Sequence, residues 1–195
     1  TLMNGAACAA GEGVVFDGVD DYVDLVGQAL GGPMTIAIWA RWDALNTWSR
    51  LCEFGGNETY ADSIIVSNDG SATIKFGIFV GSTQASSSAG SIVLGTWTHV
   101  VATAEGTSMR LYQDGALVAS KDDGWEPTLL TRASHWLGGG AVADRYFEGA
   151  IKTVQIWSRA LGADEVAALY ALDGACLASP TPSPTAPPTP APSPA

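Results

Sequence analysis

Basic side chains are scarce in this chain. Nine Lys and Arg stand against twenty Asp and Glu, a formal net charge of −11. Nucleic acids and anionic membrane surfaces are bound through basic patches, so this balance excludes both as principal partners. Long apolar runs are missing as well: none approaches the roughly 18–20 residues that a membrane-spanning helix needs. The two His and three Cys show no paired spacing, which leaves no zinc motif. Proline is nearly absent from the first 178 residues, where only Pro33 and Pro127 occur. An initiator Met is lacking too. The chain begins at Thr1, which reads as a processed mature form or a fragment from which any signal peptide has gone.

What is present points to one β-rich core. The 195 residues are 47% apolar, enough to bury a sizeable interior, and 23 glycines suit many short strands and tight turns. Residues 1–12 are small and polar and read as a lead-in. Met34–Trp42 alternates, with Met34, Ile36, Ile38 and Ala40 on one face and Thr35, Ala37, Trp39 and Arg41 on the other. Asn68-Asp69-Gly70 and Asp114-Gly115 are hairpin signals. The Ser/Gly/Ala-rich run 81–91 and the acidic run 121–132 read as loops. Turn signals every 8–12 residues predict an all-β sandwich.

One stretch organises the rest: YFEGAIKTVQIWSRALGADEVAALY, residues 146–170. Its apolar positions are odd at Phe147 and Ile151 and even at Val154 and Ile156. A strand that keeps one face on the core changes parity only through an inserted residue, so the pattern predicts a β-bulge at Lys152 and Thr153. After Trp157 the spacing of Leu161, Val166, Leu169 and Tyr170 turns helical, with Asp164 and Glu165 in the first turn.

Four segments, GVVFDGVDDYVDL, MTIAIWARWDALNTWSRLCEFGG, GTWTHVVATAEGTSMRLYQDGALVAS and the organising stretch, resemble in that order the laminin-G-like jelly-roll domains of the concanavalin A-like lectin/glucanase superfamily. The resemblance covers about residues 13–171 and implies a two-sheet antiparallel jelly-roll sandwich, its first and last strands adjacent, with one short C-terminal helix. Domain limits follow: a lead-in at 1–12, the domain at 13–176 and a tail at 177–195. Adjacency of the chain ends would bring Cys8 near Cys176, and such a bridge implies an oxidising compartment. Three reduced thiols in a cytosolic protein is the other reading. Cys52, in WSRLCEF, reads as a small buried hydrophobe.

The same resemblance frames the chemistry. Glycosidases of the superfamily carry Glu-x-Asp-x-Glu or a spaced variant on one strand; the glutamates here are scattered, so a non-catalytic role is expected. A structural calcium is often found in the superfamily where first and last strands meet, and Asp17, Asp20 and Asp21 crowd that turn. The family's last strand commonly reads Ile-Asp-Asp-Val, whereas this one reads Ile151-Lys152-Thr153-Val154. The acidic turn either holds calcium or is solvated and paired with Lys152. Carbohydrate is recognised by stacking aromatic rings on the sugar and adding planar polar groups. Candidates for that are Trp39 and Arg41, presented on the concave sheet, and Trp48, Tyr60, Trp125 and Trp136 at strand ends or in loops, with Arg50 and Arg132 nearby.

The tail is a different material. SPTPSPTAPPTPAPSPA, residues 179–195, holds eight of the ten prolines. Proline at that density forces polyproline II, which at ~3.1 Å per residue reaches roughly 50 Å. The segment resembles hydroxyproline-rich wall glycoproteins and mucin-type stalks. Ser179, Thr181, Ser183, Thr185, Thr189 and Ser193, with Pro182, Pro184 and Pro190, are the expected sites of O-glycosylation or hydroxylation, and Asn57 is an N-glycosylation sequon. The expectation is an extracellular structural or adhesive module, secreted or held at a wall or surface. Its partner is carbohydrate, a glycoprotein or copies of itself in a fibre. The alternative is a carbohydrate-binding module tethered by the tail to an enzyme.

Overall fold

The computed structural model describes residues 1–55, 61–81, 83–140 and 146–177, with side chains described through residue 172. Two antiparallel sheets face one another. The front sheet runs, in spatial order, β1 (Leu2–Met3), β4 (Tyr22–Leu25), β15 (His135–Leu137), β7 (Arg50–Phe54), β8 (Ile64–Asn68), β9 (Ile74–Val80) and β10 (Thr83–Ala89). The back sheet runs β13 (Ala116–Lys121), β12 (Ser108–Gln113), β11 (Trp97–Glu105), β6 (Met34–Trp42), β16 (Glu148–Trp157), β3 (Gly13–Asp17) and β2 (Ala7–Ala9). A small third sheet pairs β14 (Leu130–Arg132) with β5 (Gln28–Leu30).

The core follows the two-residue alternation of its strands. Ile36, Ile38 and Trp42 of β6, Val100 and Ala102 of β11, and Ile74, Phe76 and Ile78 of β9 are all buried and share one cluster. Phe147 seals one end, its ring edge-on to Trp42 at 5.7 Å and to Phe16 at 5.8 Å between centroids. Each such side chain contributes about 1.5–3 kcal/mol on burial.

β16 pairs with β3 and with β6, so the first long strand and the last are neighbours. Its register on β6 slips between Ile151 and Thr153, which leaves Lys152 as the extra residue. Ile151, Val154 and Ile156 thereby all reach the core, as their parity required. The ammonium of Lys152 lies 4.7 Å from the centroid of Trp97, not with the acids of the 17–21 turn. Its expected pairing there is corrected: the bulge turns the side chain toward the neighbouring aromatic.

The helix α1 (Ala163–Leu177) then folds back over the outer face of the back sheet. Its start is capped from one side, by the carboxylate of its own first turn. Gly162 N–H donates to Glu165 at 2.9 Å, and Val166 N–H donates to the Gly162 carbonyl at 3.0 Å. Arg159 donates to both Glu165 oxygens and holds that carboxyl down at about 2. Thr35 ties the approach to the sheet, donating to the Arg159 carbonyl at 2.8 Å and accepting from Leu161 N–H at 2.9 Å. Leu161, Val166 and Leu169 pack on Ala37, Val101 and Tyr112. At the Asp114-Gly115 turn both residues have positive φ, and a Cβ on Gly115 would meet the Tyr170 ring at 3.1 Å.

Three segments differ from their expected reading. Residues 83–89 form β10 rather than a loop, because their small polar side chains pair in full register with β9 at the sheet edge. Residues 130–132 form β14 inside the expected acidic loop. The lead-in supplies edge strands to both sheets, β1 to β4 and β2 to β3.

Candidate functional site

The two outer faces of the sandwich differ in what covers them. On the back sheet, Trp39 is 6% exposed and stacks on His99 at 5.1 Å and on Tyr170 of α1 at 5.6 Å. Trp39 was expected to present its ring on an open sheet, and the structure corrects that: α1 roofs it. His99, 1% exposed and without a hydrogen-bond partner on either ring nitrogen among the described residues, is pushed down to about 4 by desolvation. Arg41 lies on the same back face and is paired with Asp43 at 2.8 Å and with Glu12. The Asp43 hydrogen bond is the largest cause holding its guanidinium charged.

The front sheet carries no helix among the described residues, and its outer face bears a shallow cleft instead. Cross-strand register aligns Asp24, Trp136, Glu53, Ile65, Gly77 and Ser86 in one row across six strands. Beside it run Arg50, Ser67 and Lys75. A shallow cleft of about 180 Å³ lies over these rows, lined by Trp48, Arg50, Ile65, Ser67, Lys75, Phe79 and Gln84. That volume is below the roughly 300–1,000 Å³ of pockets that enclose a ligand, so a partner lies across this face instead of inside it.

Each wall has a local cause. Trp48 precedes β7 in a left-handed conformation (φ 60°), and Lys75 places its ammonium 4.5 Å from the Trp48 centroid. Arg50 is 5% exposed; it donates to Glu53 at 3.0 Å and to the Trp48 carbonyl at 2.7 Å. Glu53 is fully buried, so this ion pair orients Arg50 from beneath. Gly77 keeps the floor low: a Cβ there would meet the Gln84 amide nitrogen at 2.7 Å. Ser67 is fully buried in the floor, and its Oγ has no hydrogen-bond partner among the described residues.

Of the residues singled out from sequence, the structure brings Trp48, Arg50 and Trp136 to this face. Trp136 packs edge-on to Tyr22 at 6.4 Å, two strands along the row from Ile65. Trp125 lies elsewhere, half-buried in a separate cleft of about 580 Å³ with Val80, Thr83 and Glu126. Arg132 is 2% exposed and donates to the carbonyls of Asp62 at 2.8 Å, Thr128 at 3.0 Å and Leu30, so it is a structural tie. Burial lowers its pKa. Tyr60, Asn57 and all the tail sites from Ser179 to Ser193 lie outside the described residues. So does the side chain of Cys176, and with it the bridge to Cys8, which is exposed on β2. Cys52 is buried, and desolvation pushes its thiol up to about 12.

Sequence reasoning missed Lys75, Phe79, Ile65, Ser67 and Gln84. The alternation of 74–80 does put Lys75, Gly77 and Phe79 on one face. Nothing in that pattern says that the face carries a cleft.

The acidic turn gathers as expected: oxygens of Asp17, Asp20 and Asp21 lie within 4.8 Å of one another. Asp21 is 3% exposed and accepts from Gly5 N–H at 2.6 Å and from Asp17 N–H at 2.9 Å; Asp17 accepts from Val19 N–H at 2.8 Å. Three of the six carboxylate oxygens thus already take amides. The donor type suits calcium, but six to eight oxygens are wanted, and water would have to complete the shell.

No catalytic dyad or triad accompanies either cleft among their lining residues. No helix among the described residues is long and apolar enough to cross a membrane. No curated protein matches the chain. Many solved structures share its fold, among them the following three. Domain 4 of AbnA, a GH43 extracellular arabinanase from Geobacillus stearothermophilus, in complex with arabinotriose, is 19% identical with a TM-score of 0.69, over 87% of this chain and 81% of that one. The native heptameric SAP-like pentraxin of Limulus polyphemus is 14% identical with a TM-score of 0.64, over 80% of each chain. The CBM40 of Ruminococcus gnavus IT-sialidase bound to α2,3-sialyllactose is 16% identical with a TM-score of 0.60, over 76% of this chain and 98% of that one. A laminin-G domain family, described as the concanavalin A-like lectin/glucanases superfamily, matches residues 17–167, and with its two stacked sheets and its paired β3 and β16 the protein belongs to that family.

Proposed function

We propose that the domain is a non-catalytic glycan-binding module that takes its ligand across the outer face of the front sheet. The observation that carries this is the cleft itself. It combines an aromatic ring from Trp48, a second from Phe79, planar polar groups from Arg50 and Gln84, and the Ser67 hydroxyl, which has no partner among the described residues, in one shallow cleft. Sugars present alternating apolar ring faces and hydroxyl edges, and this surface offers the complement of both. Trp136 and Tyr22 extend it along the row, so that the face spans about 14 Å from β15 to β9 at 4.8 Å per strand.

The setting we propose is extracellular, with residues 179–195 as a glycosylated polyproline spacer that holds the domain away from whatever it is joined to. Two sugar-bearing neighbours, the arabinanase domain and the sialidase CBM40, support a module attached to a larger assembly. An adhesive role uses the same face, its glycan then being carried by another glycoprotein. Calorimetric titration with a panel of oligosaccharides tests the reading: the intact chain binds at least one, and Trp48→Ala weakens that binding about tenfold or more with little change in melting temperature. Unaltered binding by the variant places the ligand elsewhere.

A further inference from the structure

A second cleft lies where the β9–β10 turn, the β11–β12 turn and the segment leading into β14 meet. Its volume of about 580 Å³ falls within the roughly 300–1,000 Å³ of sites that enclose a small ligand. Val80 and Thr83, opposite one another on the β9–β10 hairpin, belong to its lining. The next pair along that hairpin, Phe79 and Gln84, belongs to the front-face cleft. Successive strand residues point to opposite sides, so one hairpin contributes to two separate clefts.

The segment that carries Trp125 is pinned before and after it. Gly124 N–H donates to the Thr107 carbonyl at 2.8 Å, and Glu126 accepts from Gly106 N–H at 2.8 Å. The Pro127 carbonyl accepts from Gly32 N–H at 2.8 Å. A Cβ on Gly124 would meet the Met109 sulfur at 2.6 Å, so the backbone lies tight against the core there. Trp125 is half-buried: it packs against the core cluster and also lines the cleft. Its ring is therefore set in position before any ligand arrives, which lowers the ordering cost of binding.

The other lining groups define the ligand. Thr83, Thr107 and Thr128 are exposed and bring hydroxyls that both donate and accept. Glu126, turned by the Gly106 amide, adds a carboxylate acceptor. No Lys or Arg stands among the lining residues, so nothing there would pair with a ligand's carboxylate or sulfate. An ammonium ligand would want a cage of several rings, and Trp125 is the one aromatic in the lining. We infer that this cleft is a second saccharide site, separate from the front face, and that it takes a neutral sugar residue. The Trp125 ring meets the apolar face of the sugar, and the threonine hydroxyls and the Glu126 carboxylate take its hydroxyl groups.

The test is an NMR titration of the full chain with short neutral oligosaccharides of glucose, galactose, mannose, xylose and arabinose, and with tetramethylammonium. At least one oligosaccharide moves the Trp125 indole and the amides of Gly106 and Thr107 in a saturable way, and tetramethylammonium does not. Trp125→Phe and Glu126→Gln, which keeps an acceptor for the Gly106 amide, each weaken that response about threefold or more. Thr107→Val, at an exposed position, weakens it too and guards against a misfolded Trp125 variant. Trp48→Ala leaves the response intact, because the two clefts are separate. A Trp125 indole that no oligosaccharide moves, a response to tetramethylammonium alone, or affinity that survives both Glu126→Gln and Thr107→Val overturns the inference. The two sites are scored apart: a Trp125 response with a still Trp48 indole upholds this one and removes the front-face reading. A Trp48 response with a still Trp125 indole does the reverse.

Discussion

Trp39 on the back sheet and Trp136 on the front sheet both point outward from a seven-stranded sheet, and they meet opposite ends. Over Trp39 lies Tyr170 of α1, with His99 completing a three-ring stack in which Trp39 and His99 are closed to solvent. Trp136 itself stays half-exposed, and its row runs on beneath the Trp48–Lys75 cleft. The alternation that aims a side chain outward is the same in both sheets. What separates a structural tryptophan from a candidate binding one is the helix that follows β16, and which sheet it lands on.

Trp39→Ala gives the largest expected effect. The ring is nearly buried, so its loss costs about 3–5 kcal/mol by chemical denaturation, while the folded variant keeps its glycan affinity. Weakened binding in a folded Trp39→Ala protein would break the division between the two faces. Trp48→Ala reverses the pattern. It lowers glycan affinity about tenfold or more and costs less stability than Trp39→Ala does, since Trp48 is half-buried where Trp39 is nearly fully buried.

Acid sharpens the same contrast. His99 is held near 4 by burial, against 6.5 for a free imidazole. Between those values the unfolded chain binds a proton that the folded chain refuses, so stability falls as pH drops through that window and levels off below it. His135 is shifted in the same direction, also first by burial, and adds to the slope. His99→Phe, which keeps a ring in the stack, flattens the melting-temperature profile between pH 6.5 and 4 and leaves the His135 part. An unchanged profile would mean that the stack opens before it titrates.

The smallest effect expected is at the acidic turn. With three of six oxygens already on amides, calcium at about 10 mM raises the melting temperature by no more than about 2 °C. Asp21→Ala, which strips both amide partners, lowers it by more than that. A larger calcium shift would show that the ion, rather than the amides, holds the turn.

The parity switch from Ile151 to Val154 was readable because a strand has only two faces, and the bulge at Lys152 is where the register slips. The helix was readable from Leu161 to Tyr170 because its spacing changes and its first turn is acidic. The sandwich itself followed from turn chemistry and alternation. The candidate site was only half legible. Trp48 and Trp136 stood out as tryptophans near strand ends, but Trp39 has the same look and a different fate, since no local pattern encodes where α1 docks. Gln84 was hidden in a run of Ser, Gly and Ala that pairs as an edge strand only because β9 is beside it. Ser67 and Gly77 are small and carry no signal until the register of β7, β8 and β9 places them in one floor.

The most direct measurement is an NMR titration of the intact chain with an oligosaccharide that it binds, following the indole N–H resonances together with the backbone amides. The account predicts that the Trp48 indole and the amides of Ile65, Ser67, Lys75 and Gln84 move with ligand, while the Trp39 indole and the amides of His99 and Tyr170 stay in place. Movement at Trp39, His99 and Tyr170 with a still front sheet would contradict it.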